Sequence, residues 1–294
     1  MNIVVLGPGA IGSLWASYLN NAGHSVSVWS RHPQSPISIQ RDELPTTEFA
    51  NQSEQAIQNA DLLLVTLKAP QVKAALSELQ PLINKETIIV LMHNGMGTAE
   101  IVSALFVDNP LVLATTTHGA YRKSPQNVLH TGLGNTELGG YNSAGKRCDF
   151  LADVFQHALP EVIWNPTILT ALWNKLAINC AINPLTAIHQ ITNGELAQPE
   201  FQSQLSDVIQ EVSLTIQAEG IHISEAQLTQ SVKTVIEATA KNLSSMQQDI
   251  VHQRQSEIDF ITGYLIKKAQ SHNIATPMNL SLFNAVKNIE QGWN

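Results

Sequence analysis

The feature that most constrains this chain is the run Gly7-Pro8-Gly9-Ala10-Ile11-Gly12, a G-x-G-x-x-G set directly after the apolar residues 3–6. As a bare pattern it is weak. Between an apolar strand and an amphipathic helix, predicted over residues 11–21 and closed at Gly23, it marks a dinucleotide-binding βαβ unit. In such a unit the first glycine permits a tight turn, the second lets the backbone approach a pyrophosphate, and the third allows close helix–strand packing. The helix N-terminus then faces the anion. Gly7, Pro8, Gly9, Ala10, Ile11 and Gly12 are therefore expected to hold the cofactor phosphates. A glycine-rich turn serving packing alone would not require three glycines at these spacings.

Residues 1 to about 140 continue the alternation of short apolar runs with amphipathic stretches. Residues 3–6, 26–29, 62–67, 88–92 and 111–115 read as strands of a buried parallel sheet. Residues 127–138, with Gly132 and Gly134 among β-favouring residues, predict a hairpin finishing that sheet. A helix over 149–159 and a strand over 161–164 follow. Beyond Asn165 the strand signals stop, and helical periodicity continues to the end of the sequence. Asn165-Pro166 suits a helix start, Asn as cap and Pro at the first helical position. The boundary is placed there: an N-terminal Rossmann-type α/β domain over 1–165 and an all-α domain over 166–294.

Charge and cysteine usage exclude several functions. The chain has 16 basic and 24 acidic residues and a formal net charge of -8, which disfavours nucleic acid and anionic membranes as partners. An anionic ligand must be held by a few placed cations and backbone N–H groups, so a small molecule in a cleft is expected. Cys148 and Cys180 are the only cysteines, too few for a disulfide framework or a Cys-rich metal site. The ten histidines show no metal-ligand spacing, and no metal is expected. The opening residues lack a secretory pattern and no apolar run reaches membrane-spanning length, so a cytoplasmic protein is expected, as a monomer or a homodimer.

Open α/β sheets bind ligands beyond the C-terminal ends of their strands, which singles out the residues following each strand. An NAD site usually has a carboxylate at the end of the second strand, but here that strand runs into Ser30-Arg31-His32. A carboxylate would repel a 2′-phosphate, whereas a guanidinium offers it a planar, permanent charge. Arg31 thus argues for NADP(H). By the same topology Lys68 and Asn94 fall near cofactor or substrate, Asn94 preceding Gly95 and Gly97.

In the helical part, Lys175, Asn179 and Asn183 recur every four residues and share one helix face among Leu, Ile and Ala. Polar groups in apolar company need partners, and one cation with two amides suits an anionic, hydroxylated ligand. Pro184 is expected to end or kink that helix. Downstream, Ser244 with Gln247, or Ser245 with Gln248, forms a capping-box pattern. The helix predicted to start there contains Glu257, with Ile258, Ile261 and Leu265 on its core face.

Residues 7–12, Val65-Thr66-Leu67-Lys68, 93–98, the run Lys175-Leu176-Ala177-Ile178-Asn179-Cys180-Ala181-Ile182-Asn183-Pro184-Leu185-Thr186, Asn193-Gly194-Glu195 and 244–259 resemble the ketopantoate reductase family in order and spacing. The resemblance spans both domains and implies a C-terminal domain of the 6-phosphogluconate dehydrogenase type. It implies Lys175 as proton donor, with Asn94, Asn179, Asn183, Asn193 and Ser245 contacting substrate. Arg31, Lys68, Asn94 and Ala120 would contact NADPH, and Glu257 would close the site near cofactor and substrate.

The reaction so implied is reduction of ketopantoate to pantoate, for pantothenate and coenzyme A, by hydride from NADPH and a proton from Lys175. Two other readings remain open on the residues themselves. One is a reductase of another hydroxy acid or a sugar phosphate, which a single cation among amides disfavours. The other is a non-catalytic NADPH sensor, which would not need Lys175, Asn179 and Asn183 on one face.

Overall fold

The computed structural model describes residues 1–293 and divides into two compact units, Met1–His93 with Thr98–Ile168, and Asn94–Gly97 with the residues from Leu169 onward. The first unit is α/β. In chain order it comprises β1 (Asn2–Leu6), α1 (Ala10–Asn21), β2 (Ser25–Trp29), β3 (Ile37–Arg41), β4 (Thr47–Phe49), α2 (Glu54–Gln58), β5 (Leu62–Val65) and α3 (Ala69–Leu79). There follow β6 (Ile88–Met92), α4 (Thr98–Leu105), β7 (Leu111–Thr116), β8 (Gly119–Arg122), β9 (Asn127–Gly132), β10 (Thr136–Gly140), α5 (Leu151–Ala158) and β11 (Val162–Trp164).

The main sheet has seven strands in the order β11-β10-β7-β6-β5-β1-β2. From β2 to β7 the pairing is parallel, and β5 and β6 are buried along their whole length, as strands covered on both faces must be. The chain leaves β1 for β2 on one side and returns as β5 on the other. Strand order therefore reverses between β1 and β5, the position at which such sheets open a ligand crevice. Helix α1 ends in a Schellman motif. Gly23, at φ +86°, donates to the Asn20 carbonyl at 3.0 Å, and His24 N donates to the Leu19 carbonyl at 3.2 Å.

The hairpin expected over residues 127–138 does not form. β9 pairs with β8 and β3 in a second, four-stranded sheet ordered β4-β3-β9-β8, whereas β10 joins the main sheet antiparallel to β7. The chain crosses between the sheets at Gly134, where an added Cβ would lie 2.5 Å from both the Thr117 carbonyl carbon and the Thr117 hydroxyl oxygen, so the glycine marks a close crossing and not a turn within one sheet. Strand β3, in a segment without distinctive sequence signals, lies against α1, where the Arg41 guanidinium stacks 3.4 Å above the Tyr18 ring.

The second unit is helical: α6 (Ile168–His189), α7 (Pro199–Ala218), α8 (Glu225–Ala238), α9 (Ser245–Val251), α10 (Thr262–Ser271) and α11 (Pro277–Gln291), with short 3₁₀ turns at Asn193–Ala197 and Ile258–Phe260. Its core gathers Leu176, Cys180, Leu185, Val208, Val212, Leu228, Ile258, Leu265 and Val286. Two expectations fail here. Helix α6 does not end at Pro184 but runs on to His189, because Ala181, Ile182, Leu185 and Ala187 around the proline are all buried in that core, which offsets the lost hydrogen bond. Helix α9 does not extend to Glu257. Gln253 adopts a left-handed conformation, φ +51°, and Arg254 N donates back to the Asp249 carbonyl at 2.8 Å, a Schellman ending built without glycine. Glu257 instead precedes the 3₁₀ turn Ile258–Phe260. Among the described residues, no helix is long and apolar enough to cross a membrane.

Helix α11 takes its N-terminal cap from another helix. Thr276 provides no side-chain cap. The buried carboxylate of Glu211 on α7 accepts from Met278 N at 2.8 Å, Asn279 N at 2.9 Å and Asn279 Nδ2 at 2.7 Å. Glu211→Ala would strand these buried donors and is expected to cost about 3–5 kcal/mol, as when one partner of a buried charged network is removed. Urea unfolding followed by far-ultraviolet circular dichroism measures the loss, and a cost under about 1 kcal/mol would contradict the capping role.

Candidate active site

The glycine loop sits at the end of β1 and is shaped by its own backbone. Gly7, at φ +87°, donates its N–H to the Trp29 carbonyl at 2.9 Å and accepts from Gly9 N at 2.7 Å. A Cβ at Gly12 would lie 2.4 Å from both the Gly7 oxygen and Thr66 Oγ1, so the third glycine is required by packing. At Gly9 an added Cβ would meet nothing nearer than 3.9 Å. Folding does not require the second glycine; it keeps open a place where backbone can approach a ligand. Gly9 caps α1 with no side-chain hydrogen bond, which leaves first-turn N–H groups to face an anion. These residues fit a dinucleotide pyrophosphate.

Arg31 lies exposed two residues beyond β2. Its loop is pinned by residues that the sequence did not single out. Asn51 Oδ1 accepts from Ser30 N at 2.9 Å, Asn51 Nδ2 donates to the carbonyls of His32 at 2.7 Å and Gln34 at 2.8 Å, and Gln52 Nε2 donates to the Ser30 carbonyl at 2.8 Å. Lys68 is the N-cap residue of α3, next to Leu67, whose side chain packs on Gly7. Ala120 lies in β8, opposite His130 in the second sheet.

In the helical unit, Lys175, Asn179 and Asn183 occupy successive turns of α6, and Asn183 is buried. The Lys175 stem keeps partial solvent access. Its ammonium is closely surrounded by protein, and that desolvation lowers its pKa to about 8, opposed by the negative charge of Glu257, itself buried. Asn94 begins the four-residue segment that packs with this unit. Met96 N donates to the Phe260 carbonyl at 2.8 Å, and Gly95 and Gly97, both at positive φ, admit the Phe260 and Tyr264 side chains where a Cβ would collide.

Asn193 is buried, and its Nδ2 donates to Thr239 Oγ1 at 2.9 Å. Thr239 donates its own hydroxyl hydrogen to the Val235 carbonyl at 2.6 Å, so it can only accept from Asn193, which turns the amide oxygen away. That oxygen, Asn193 Oδ1, is buried without a hydrogen-bond partner among the described residues. Of the two capping candidates, Ser244 caps α9 by accepting from Gln247 N at 3.1 Å and also accepts from the Thr186 hydroxyl at 2.7 Å. Ser245 is exposed. Asn51 and Thr239 carried no sequence signal, because polar residues in short loops or at a helix end look the same whether or not they support a site.

Neither cysteine is poised to react. Burial pushes the Cys180 thiol up to about 12, against a hydrogen bond with Thr262, and burial also raises Cys148. Among the described residues, no cluster of His, Cys, Asp or Glu could hold a metal ion.

Two family models match the chain, ketopantoate reductase PanE/ApbA over residues 3–143 and ketopantoate reductase PanE/ApbA C terminal over residues 167–290. A 2-dehydropantoate 2-reductase of Vibrio cholerae is 53% identical over 294 residues, covering 100% of this chain and 99% of that protein. Among solved structures, a PanE/ApbA family ketopantoate reductase from Ralstonia eutropha JMP134 superposes with TM-score 0.89 at 26% identity, covering 99% of both chains. The complex of D-mandelate dehydrogenase with NADH shares the fold at TM-score 0.90 and 22% identity, covering 100% of both chains.

An ammonium with a pKa of about 8 titrates close to neutrality, where a proton donor is most effective. If Lys175 donates the proton of a reduction, kcat must fall as pH rises through about 8 and the donor is lost. An unperturbed lysine would hold the rate constant to near ~10.4. A pH profile of kcat at saturating substrate separates the two, and a plateau maintained to pH 10 would contradict the assignment.

Proposed function

The chain belongs to the ketopantoate reductase family and reduces ketopantoate, and we propose that its cofactor is the nicotinamide dinucleotide NADPH, that Lys175 delivers the proton, and that pantoate for pantothenate is the product. The observation that carries the choice of cofactor is the end of β2, where the exposed Arg31 stands in place of a carboxylate on a loop pinned by Asn51. Gly7–Gly12, Lys68 and Ala120 complete the cofactor contacts in this reading. NADPH, when bound, supplies hydride to the 2-oxo carbon.

The remaining work falls to the chain's own groups. Lys175 as ammonium polarises the 2-oxo group, stabilises the developing alkoxide and passes it a proton. Glu257 keeps that ammonium charged near neutral pH by its opposing field. Asn94, Asn179, Asn183, Asn193 and Ser245 orient the substrate. Asn193 Oδ1, held away from Thr239 and without a hydrogen-bond partner among the described residues, requires a donor, and a substrate hydroxyl supplies one. An analogue lacking that hydroxyl leaves a buried acceptor unsatisfied and is rejected. The domain division proposed is a cofactor domain over 1–165 and a substrate domain over 166–294, in a cytoplasmic enzyme.

The test is cofactor discrimination. In the unmodified enzyme kcat/KM with NADPH should greatly exceed that with NADH. Arg31→Ala should weaken NADPH by roughly 1.5–3 kcal/mol, the worth of a hydrogen bond to a charged group, and leave NADH nearly unchanged. Equal loss for both cofactors, or equal efficiency before mutation, would assign the cofactor differently.

A further inference from the structure

Glu257 lies in a short irregular segment that α11 grips from the side. Ser256, fully buried, donates both its backbone N–H, at 2.9 Å, and its hydroxyl, at 2.7 Å, to Glu290 Oε1. The same hydroxyl oxygen accepts from Ile258 N at 3.3 Å, so the residues on both sides of Glu257 are tied to one atom. One turn earlier on α11, Lys287 joins Glu290 Oε2 at 3.2 Å to Asp259 Oδ2 at 2.9 Å. Glu290 is almost wholly enclosed, at 9% side-chain exposure. An ionised carboxylate in such a place is costly unless each oxygen is satisfied. Here both are: Oε1 holds Ser256, and Oε2 pairs with Lys287, which in turn holds Asp259.

We propose that Glu290 is a positioning residue for the reaction: through Ser256 it fixes the backbone on which Glu257 is presented to Lys175. This rests on the reading of Lys175 and Glu257 as the reacting pair. Without the clamp, Ser256 loses its attachment to α11, only the Lys287–Asp259 pair still ties the segment to that helix, and Glu257 is no longer held at one distance from the ammonium. A carboxylate that wanders opposes the desolvation of Lys175 less well, so more of the donor is deprotonated at a given pH and the rate falls. Binding of NADPH, assigned to the other unit, is untouched.

Glu290→Ala and Glu290→Gln are made in the full-length enzyme, each alone and combined with Glu257→Gln, with folding checked by thermal melting. Glu290→Ala is expected to lower kcat about tenfold, to move the alkaline limb of its pH profile to lower pH, and to leave the NADPH dissociation constant within about twofold. Glu290→Gln, which keeps an oxygen for Ser256, should restore kcat to within about threefold. On the Glu257→Gln background, adding Glu290→Ala should change kcat less than about twofold, since residues acting through one another are not additive. The same loss on both backgrounds, an unmoved pH limb, or a Gln variant as impaired as the Ala variant would overturn the proposal. If Glu257→Gln by itself leaves kcat and its pH limb unchanged, the reading of Glu257 falls first and the proposal falls with it.

Discussion

An ammonium surrounded by protein, with the Glu257 carboxylate opposing its discharge, is the interaction on which the rest of the helical unit depends. Desolvation lowers the Lys175 pKa and Glu257 raises it, and the balance comes to rest at about 8. Either influence alone would serve catalysis badly. Burial without the carboxylate would lower the pKa further and leave less of the donor protonated, and the carboxylate without burial would leave a lysine too weakly acidic to give its proton quickly. The core of the unit can be understood as the means of holding these two side chains. Helix α6 supplies Lys175 from an apolar face, and the 3₁₀ turn after Glu257 anchors the acid through Ile258, which is fully buried.

The segment around Glu257 is also where several tethers meet. Phe260 receives the hydrogen bond from Met96 that fixes the turn bearing Asn94, while Ser256 and Asp259 are held by α11. Helix α11 is itself capped by Glu211 from α7. Glu257, which opposes the discharge of Lys175, and the turn bearing Asn94 are thus referred to one short stretch of irregular backbone. The cofactor unit follows a comparable plan on a parallel sheet. Strand order reverses at β1 and β5, and Thr66 and Asn51 hold the loops that follow the strand ends, with Gly9 left bare.

Much of this was legible in the sequence where a residue type has one dominant physical use. Three glycines after an apolar strand, Gly23 at a helix end and four-residue spacing of Lys175, Asn179 and Asn183 all correspond to what the structure contains. The errors arose where structure departs from such uses. Gln253 ends α9 in a conformation normally marked by glycine, so Glu257 was assigned to a helix it does not occupy. Gly132 and Gly134 were read as a hairpin although their strands belong to different sheets, a choice made by long-range pairing that local pattern does not encode. Pro184 was expected to end or kink its helix, and the helix does not end there, because tertiary burial of its neighbours carries it through. The supporting residues Thr239 and Glu290 were invisible for the same reason, since their roles exist only once distant segments meet.

We propose that Lys175 gives the proton, while the cofactor's phosphates are recognised by residues of the other unit. Lys175→Ala, assayed for NADPH binding by fluorescence and for turnover with ketopantoate, addresses it most directly. The account predicts an NADPH dissociation constant within about twofold of the unmodified enzyme and a kcat lower by on the order of 10²–10⁴. A fall in kcat of less than about tenfold would show that the proton comes from another group and would contradict the account.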